Sequence, residues 1–395
     1  MKKKFELTKH WGYQVGIRPI KEATKLMRGG KSDDEIRAHY LEKYQTSTEI
    51  ADLVLNVAKA EKPIIDAANP RGVSFYINIP FCPSRCLYCS FSSRQSDGSR
   101  HLIPEYLRAL HMEIAASLDI VKRNNQTIET IYLGGGTPTV LDAAQLDELL
   151  SKLPNIPNLK EFTVEAGRPD TITREKLEIL KRYGVTRISI NPQTMNDETL
   201  AAVGRKHTSG EIRSAVALAR ECGFGNINMD IIAGLPGETF EMFERTIDEV
   251  LALSPENITV HTMCVKRTSD LNLDGNLKNY DLTVTETVER MIQFSRETLM
   301  QRGFLPYYLY RQKHILGDLE NVGYAKVGFE GIYNVHMMSE IQTIIACGAS
   351  SVTKFVSTSG KIERIFNVKE AIDYINRVNE MIERKNLLVE NFENL

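Results

Sequence analysis

Three cysteines, Cys82, Cys86 and Cys89, stand in the stretch NIPFCPSRCLYCSF at residues 78–91, spaced C-x3-C-x2-C. Three thiolates in this arrangement suit a four-iron, four-sulfur cluster. Each ligates one iron, and the fourth iron keeps a position open for an exogenous ligand. Zinc is the other chemistry such a run offers. Zinc sites close with four donors in C-x2–4-C pairs, and no second pair or nearby histidine completes one here. With only six cysteines in 395 residues the chain is no disulfide framework, and clustered thiols fit a reducing compartment. Cys222, Cys264 and Cys347 lie among apolar or small residues, the ordinary setting of an inert thiol.

The elements that must carry this loop follow from hydrophobic period. Apolar, β-branched runs fall at 73–79, 128–133, 160–165, 186–190, 226–232 and 257–263, and amphipathic helix patterns at 103–121, 142–152, 174–183, 209–222 and 238–253 separate them. Thr208 and Glu211 form a capping box at the start of one helix. Strands alternating with helices imply a mainly parallel sheet with crossover helices, and runs without alternation imply strands covered on both faces. Six units are two short of a closed eight-stranded barrel, which leaves a doubly wound sheet or an open, partial barrel. In both, sites gather at the C-terminal strand ends. There the sequence places the cysteine loop, then GGGTPT, AGRPD, NPQT and AGLPGE, with Glu165, Gln193 and Asp230 in or just beyond the strands. Buried polar groups at one sheet end are costly unless they bind something, so these residues are expected to form one site.

Residues 1–70 read as a helical segment closed by the turn signal AANPRG at 67–72. After about 265 a helix over 281–302, a strand within GFLPYYLYRQKH and a final helix from about 368 are expected, forming a C-terminal subdomain over the barrel mouth. The division predicted is therefore 1–70, 71–265 and 266–395. A net charge of −2 gives no broad basic surface, so nucleic acid is not an expected partner. MKKK lacks an apolar segment behind it and no stretch reaches the length of a membrane span, so a cytoplasmic protein is expected.

CPSRCLYC after a first strand, with an aromatic before the third cysteine, resembles the signature of the radical S-adenosylmethionine (SAM) superfamily, and GGGTPT is similar to its glycine-rich SAM segment. YINIPFC, YLGGGTPT, VEAGRPD, ISINPQT, GRKHT and NMDIIAGLPGET, in this order and spacing, resemble the oxygen-independent coproporphyrinogen III oxidase-like family. WGYQVGIRP and PYYLYRQKHILGDLENVGYA point to its HemZ-type subgroup. The resemblance implies an α/β fold, an open partial (β/α)6 radical SAM barrel with an N-terminal helical segment and a C-terminal α+β subdomain. It implies a [4Fe-4S] cluster on Cys82, Cys86 and Cys89, with Tyr76 beside the cluster and SAM. Gly135, Gly136 and Thr137 fall where the family holds the amino acid end of SAM, Glu165 at its ammonium and Arg205 at its carboxylate. Gln193 and Asp230 are further SAM contacts, Asp230 toward the ribose.

The family chemistry implied is one-electron cleavage of SAM to a 5′-deoxyadenosyl radical that takes hydrogen from a tetrapyrrole. The expected substrate is coproporphyrinogen III, decarboxylated to protoporphyrinogen IX, with a donor such as flavodoxin or ferredoxin. Arg168, Arg311 and Lys313 are candidates by type for the propionates. Two departures bear on that substrate: Phe91 stands where the well-studied oxidases carry a further cysteine, and Asn78 where they carry histidine. Relatives with a similar ending include SAM-dependent methylating and ring-opening enzymes acting on haem, and haem-binding carriers.

Overall fold

The computed structural model describes residues 10–14, 16–89, 94–156, 158–264, 284–312, 315–357 and 360–392. Three helices come first: α1 Ile20–Arg28, α2 Asp33–Lys43 and α3 Thr48–Asp66. The alternating region holds β1 Gly72–Ile79, α4 Ile103–Arg123, β2 Thr127–Gly135, α5 Ala143–Ser151, β3 Glu161–Glu165, α6 Arg174–Arg182, β4 Arg187–Ser189, α7 Asp197–Ala202, α8 Ser209–Glu221, β5 Ile227–Ala233, α9 Phe240–Ala252 and β6 Asn257–Thr262. Then follow α10 Thr285–Gln301, β7 Leu305–Tyr310, β8 Asn321–Ala325, α11 Ile332–Ser339, β9 Thr343–Cys347, β10 Val352–Val356, β11 Ile362–Phe366 and α12 Ala371–Phe392.

Helix starts obey local chemistry. Ser32 with Glu35, Asp142 with Gln145 and Thr208 with Glu211 each close a capping box that satisfies two orphan amide donors. Ser47, Thr173 and Thr239 cap α3, α6 and α9 through their hydroxyls.

The chain forms two compact units. One comprises Ala68–Pro192, Gly204–Asn228 and Glu340–Leu395. Its strands run in the order β11-β10-β9-β1-β2-β3-β4, followed by the first residues of β5. β1 pairs parallel with both β2 and β9, and β2–β3, β3–β4 and β4–β5 are parallel as well. Seven of the eight residues of β1 are buried, as a strand covered on both faces requires. The other unit comprises Met1–Ala67, Gln193–Val203 and Met229–Ser339. Its strand order is β5-β6-β8-β7, with β8 antiparallel to both neighbours, and α3 packs on β7 and α11.

The expected α/β fold with parallel β1 to β5 is present. The helix expected at 281–302 runs over Thr285–Gln301, residues 281–283 lying outside the described residues. Two features escape hydrophobic period: β8 inserts between β6 and β7, and β9 returns to lie beside β1.

Candidate active site

Cys82 closes the short strand Phe81–Cys82, which pairs parallel with Arg94–Gln95 just beyond β1. Cys86 is buried and Cys82 and Cys89 are half-buried, with a turn in which Cys89 N–H donates to the Cys86 carbonyl at 3.0 Å. A donor stands beside each of two sulfurs. The Thr137 hydroxyl lies 3.5 Å from Cys82 Sγ and Arg168 Nη1 4.0 Å from Cys86 Sγ. N–H and O–H donors near thiolates stabilise their negative charge and tune the metal they hold. Among the described residues no three His, Cys, Asp or Glu side chains converge on a single ion position. A cubane does not ask for that, because each thiolate binds a different iron.

The glycine turn after β2 fits against this loop. Gly136 N–H donates to the Ile79 carbonyl and Thr137 N–H to the Phe81 carbonyl, each at 2.8 Å. A Cβ on Gly136 would stand 2.5 Å from the Phe81 oxygen and 3.0 Å from Cys82 Sγ. Gly135 has φ +108°, and a Cβ there would stand 2.0 Å from Asn78 Oδ1. Only glycine permits both the left-handed backbone and the approach. Beside the turn, Tyr76 stacks on Tyr132 with centroids 6.0 Å apart, and the Tyr132 hydroxyl donates to Glu165 Oε1 at 2.7 Å.

Arg205 is buried, donating through Nε to the Tyr88 hydroxyl at 3.3 Å and through Nη1 to the Asn191 carbonyl at 2.6 Å. Burial works against its charge, but Tyr88 and Cys86 beside it more than offset this and hold it protonated. Arg168 is committed to the Ser84 hydroxyl at 3.0 Å and to Asp170 at 3.2 Å, so it serves the cysteine loop rather than a free substrate carboxylate. Burial alone would raise Asp170, yet His207 and Arg168 hold it below the ordinary range, while burial lowers His207.

The second unit holds Gln193 and Asp230. Gln193 has φ +68° and bridges β5: its N–H donates to the Asp230 carbonyl and its carbonyl accepts from Ile232, both at 2.9 Å. Asp230 Oδ2 lies 3.6 Å from His261 Nε2, and the Tyr310 hydroxyl 3.2 Å from His261 Nδ1. In the same unit Arg311 donates to the Gln14 and Asp318 carbonyls and stacks at 4.7 Å on Trp11, a structural engagement. Phe91 and Lys313 lie outside the described residues.

The residues around the cysteines fit a cluster: three thiols, donors beside Cys82 and Cys86, and a turn with no room for a Cβ on Gly135 or Gly136. Tyr88 is the aromatic ahead of the third cysteine, whereas Tyr132, Asn191, His261 and Tyr310 were not singled out from the sequence, although Tyr132 stands two positions ahead of the glycine run.

A parallel sheet with a thiol loop and a glycine turn at its strand ends defines an α/β protein equipped to carry a cluster. Residues 76–250 match the radical SAM superfamily. Over 391 residues the chain is 40% identical to the oxygen-independent coproporphyrinogen-III oxidase-like protein HemZ of Bacillus subtilis, covering 96% of this chain and 77% of that protein. It is 39% identical over 197 residues to the heme chaperone HemW of the same organism, covering 49% and 51% of the two chains. The solved coproporphyrinogen III oxidase HemN of Escherichia coli shares the fold, with TM-score 0.63 at 24% identity, over 82% of this chain and 73% of that one. The chain belongs to the radical SAM superfamily, within the oxygen-independent coproporphyrinogen III oxidase-like family, whose cofactors are a [4Fe-4S] cluster and SAM.

Proposed function

We propose that this radical SAM enzyme oxidatively decarboxylates coproporphyrinogen III in cytoplasmic, anaerobic haem biosynthesis, drawing electrons from a flavodoxin or ferredoxin. The observation carrying this reading is the contact of the glycine turn with the cysteine loop, Gly136 against Cys82, in a chain 40% identical to HemZ along nearly its whole length.

When bound, a reduced cluster supplies the electron that cleaves SAM to a carbon radical able to take a hydrogen atom. The residues do the rest. Cys82, Cys86 and Cys89 would ligate three irons. The backbone of Gly135, Gly136 and Thr137 would hold the amino acid end of SAM. Glu165, held by Tyr132, accepts the ammonium, a charge-assisted bond. Arg205, held through Nε and Nη1 by Tyr88 and by carbonyls, would meet the SAM carboxylate with its guanidinium. Tyr76 would stand beside the cluster and SAM. Each of two propionates then loses one hydrogen atom, one further electron to an acceptor and carbon dioxide, leaving a vinyl group. We assign the barrel to 71–265, a helical segment to 1–70 and a C-terminal subdomain to 266–395.

A haem-carrier role is the second reading, favoured by the likeness to HemW and by Asn78 and Phe91 at positions that set this chain apart from the oxidases. Anaerobic incubation of the reconstituted protein with SAM, reductant and each tetrapyrrole separates the possibilities. Protoporphyrinogen with 5′-deoxyadenosine supports the decarboxylase. A methylated tetrapyrrole with S-adenosylhomocysteine contradicts it, as does tight haem binding without turnover.

A further inference from the structure

Asn78, the last residue but one of β1, is buried at the meeting point of two hydrogen-bonded systems. On one side its Oδ1 accepts from the Tyr76 hydroxyl at 3.0 Å and fills the space that a Cβ on Gly135 would occupy. On the other its Nδ2 donates to the Ala349 carbonyl at 2.6 Å, just past β9. Tyr106 of α4 ties the same two segments, donating to the Asn78 carbonyl at 2.8 Å and accepting from Ala349 N–H at 3.0 Å. The turn at Gly348 is required: its φ is +101°, and a Cβ would stand 2.6 Å from both the Asn78 oxygen and the Tyr106 hydroxyl.

A fully buried ion pair holds that turn. Glu113 of α4 accepts from Gly348 N–H at 2.6 Å, from Asn367 Nδ2 at 2.7 Å, from the Tyr374 hydroxyl and from Lys385 Nζ at 2.7 Å. Lys385, on α12, also donates to the Ala346 carbonyl at 2.6 Å. Both side chains are at most 1% exposed. Burying a charge pair rarely adds net stability compared with apolar residues of the same volume, and the best-attested use of such pairs is to fix register. Here Glu113 accepts from the Gly348 turn, from Asn367 just past β11, and from Tyr374 and Lys385 of α12.

We propose that Asn78 is a positioning residue for the SAM cradle, and that the Glu113–Lys385 pair sets its place by fixing the Gly348–Ala349 turn. The C-terminal helix thereby determines the orientation of the Tyr76 phenol and the Gly135 turn, although Lys385 lies far from Cys82 in sequence. This rests on the SAM reading of Tyr76 and Gly135 given above.

The test uses the reconstituted full chain and follows the change in the electron paramagnetic resonance of the reduced cluster on adding SAM. Asn78→Ala should keep its iron content and weaken SAM binding about tenfold, the worth of one buried hydrogen bond. Tyr76→Phe should weaken it by a similar factor, and the double variant no further, since one residue acts through the other. Glu113→Gln with Lys385→Met should reproduce the Asn78→Ala affinity at unchanged iron content. Should that pair fail to fold, the Asn78 and Tyr76 cycle still decides. Unchanged SAM affinity in Asn78→Ala, or additive effects in the cycle, would overturn the proposal. Absence of any SAM response in the unsubstituted protein would instead sink the SAM reading itself.

Discussion

The Tyr132 hydroxyl donates to Glu165 Oε1 at 2.7 Å, from a ring that stacks on Tyr76. The candidate ammonium acceptor is therefore held in one rotamer by a residue on the neighbouring strand. Glu165→Gln keeps the shape and removes the charge. A hydrogen bond to a charged group is worth about 1.5–3 kcal/mol, so SAM affinity should fall roughly 10- to 100-fold while the thermal midpoint stays put. Equilibrium binding of SAM checks this.

Gly135→Ala places a Cβ 2.0 Å from Asn78 Oδ1 on a backbone at φ +108°. Left-handed strain on a non-glycine residue costs about 1–3 kcal/mol before the collision is counted. The variant should melt at lower temperature and lose SAM binding together, in contrast to Glu165→Gln. Calorimetry beside the binding measurement shows whether the two losses coincide.

Arg205→Lys preserves charge but not the planar fork. The carbonyls of Asn191 and Gly167, which Nη1 now serves, would lose their donor at a cost of about 1–3 kcal/mol. Both chemical stability and SAM affinity should drop, and equilibrium urea unfolding with SAM titration measures them separately.

The parts of this site that the sequence exposes are those written in short range. Cysteine spacing, the GGG run, the capping box at Thr208 and the covered strand β1 are all local chemistry. His261, Tyr310 and Asp230 come together only because β8 enters antiparallel between β6 and β7, and no hydrophobic period encodes the partner of a strand. The same holds for Glu113 and Lys385, which meet because β9 returns to pair with β1 and α12 packs on α4. Arg168 shows the converse: its residue type suggested a substrate contact, and its surroundings turn it to Ser84 and Asp170.

Glu238 is buried beside Thr194 and Asn196, and burial pushes its carboxyl up to about 7. The folded state therefore holds a proton that the unfolded chain releases near 4.5. This contribution is complete below about pH 4.5 and is lost as pH rises through about 7, a shift worth roughly 3 kcal/mol. Glu238→Gln should flatten that part of the stability–pH curve. Urea unfolding between pH 5 and 8 is the check.

Mössbauer spectroscopy of the anaerobically reconstituted protein, with and without SAM, bears most directly on the vacant iron. Three thiolate donors give a [4Fe-4S] signal in which one iron changes its parameters when SAM is added, and Cys86→Ala loses both the signal and SAM cleavage. A zinc-only protein would contradict this, and so would a cluster whose four irons are all indifferent to SAM.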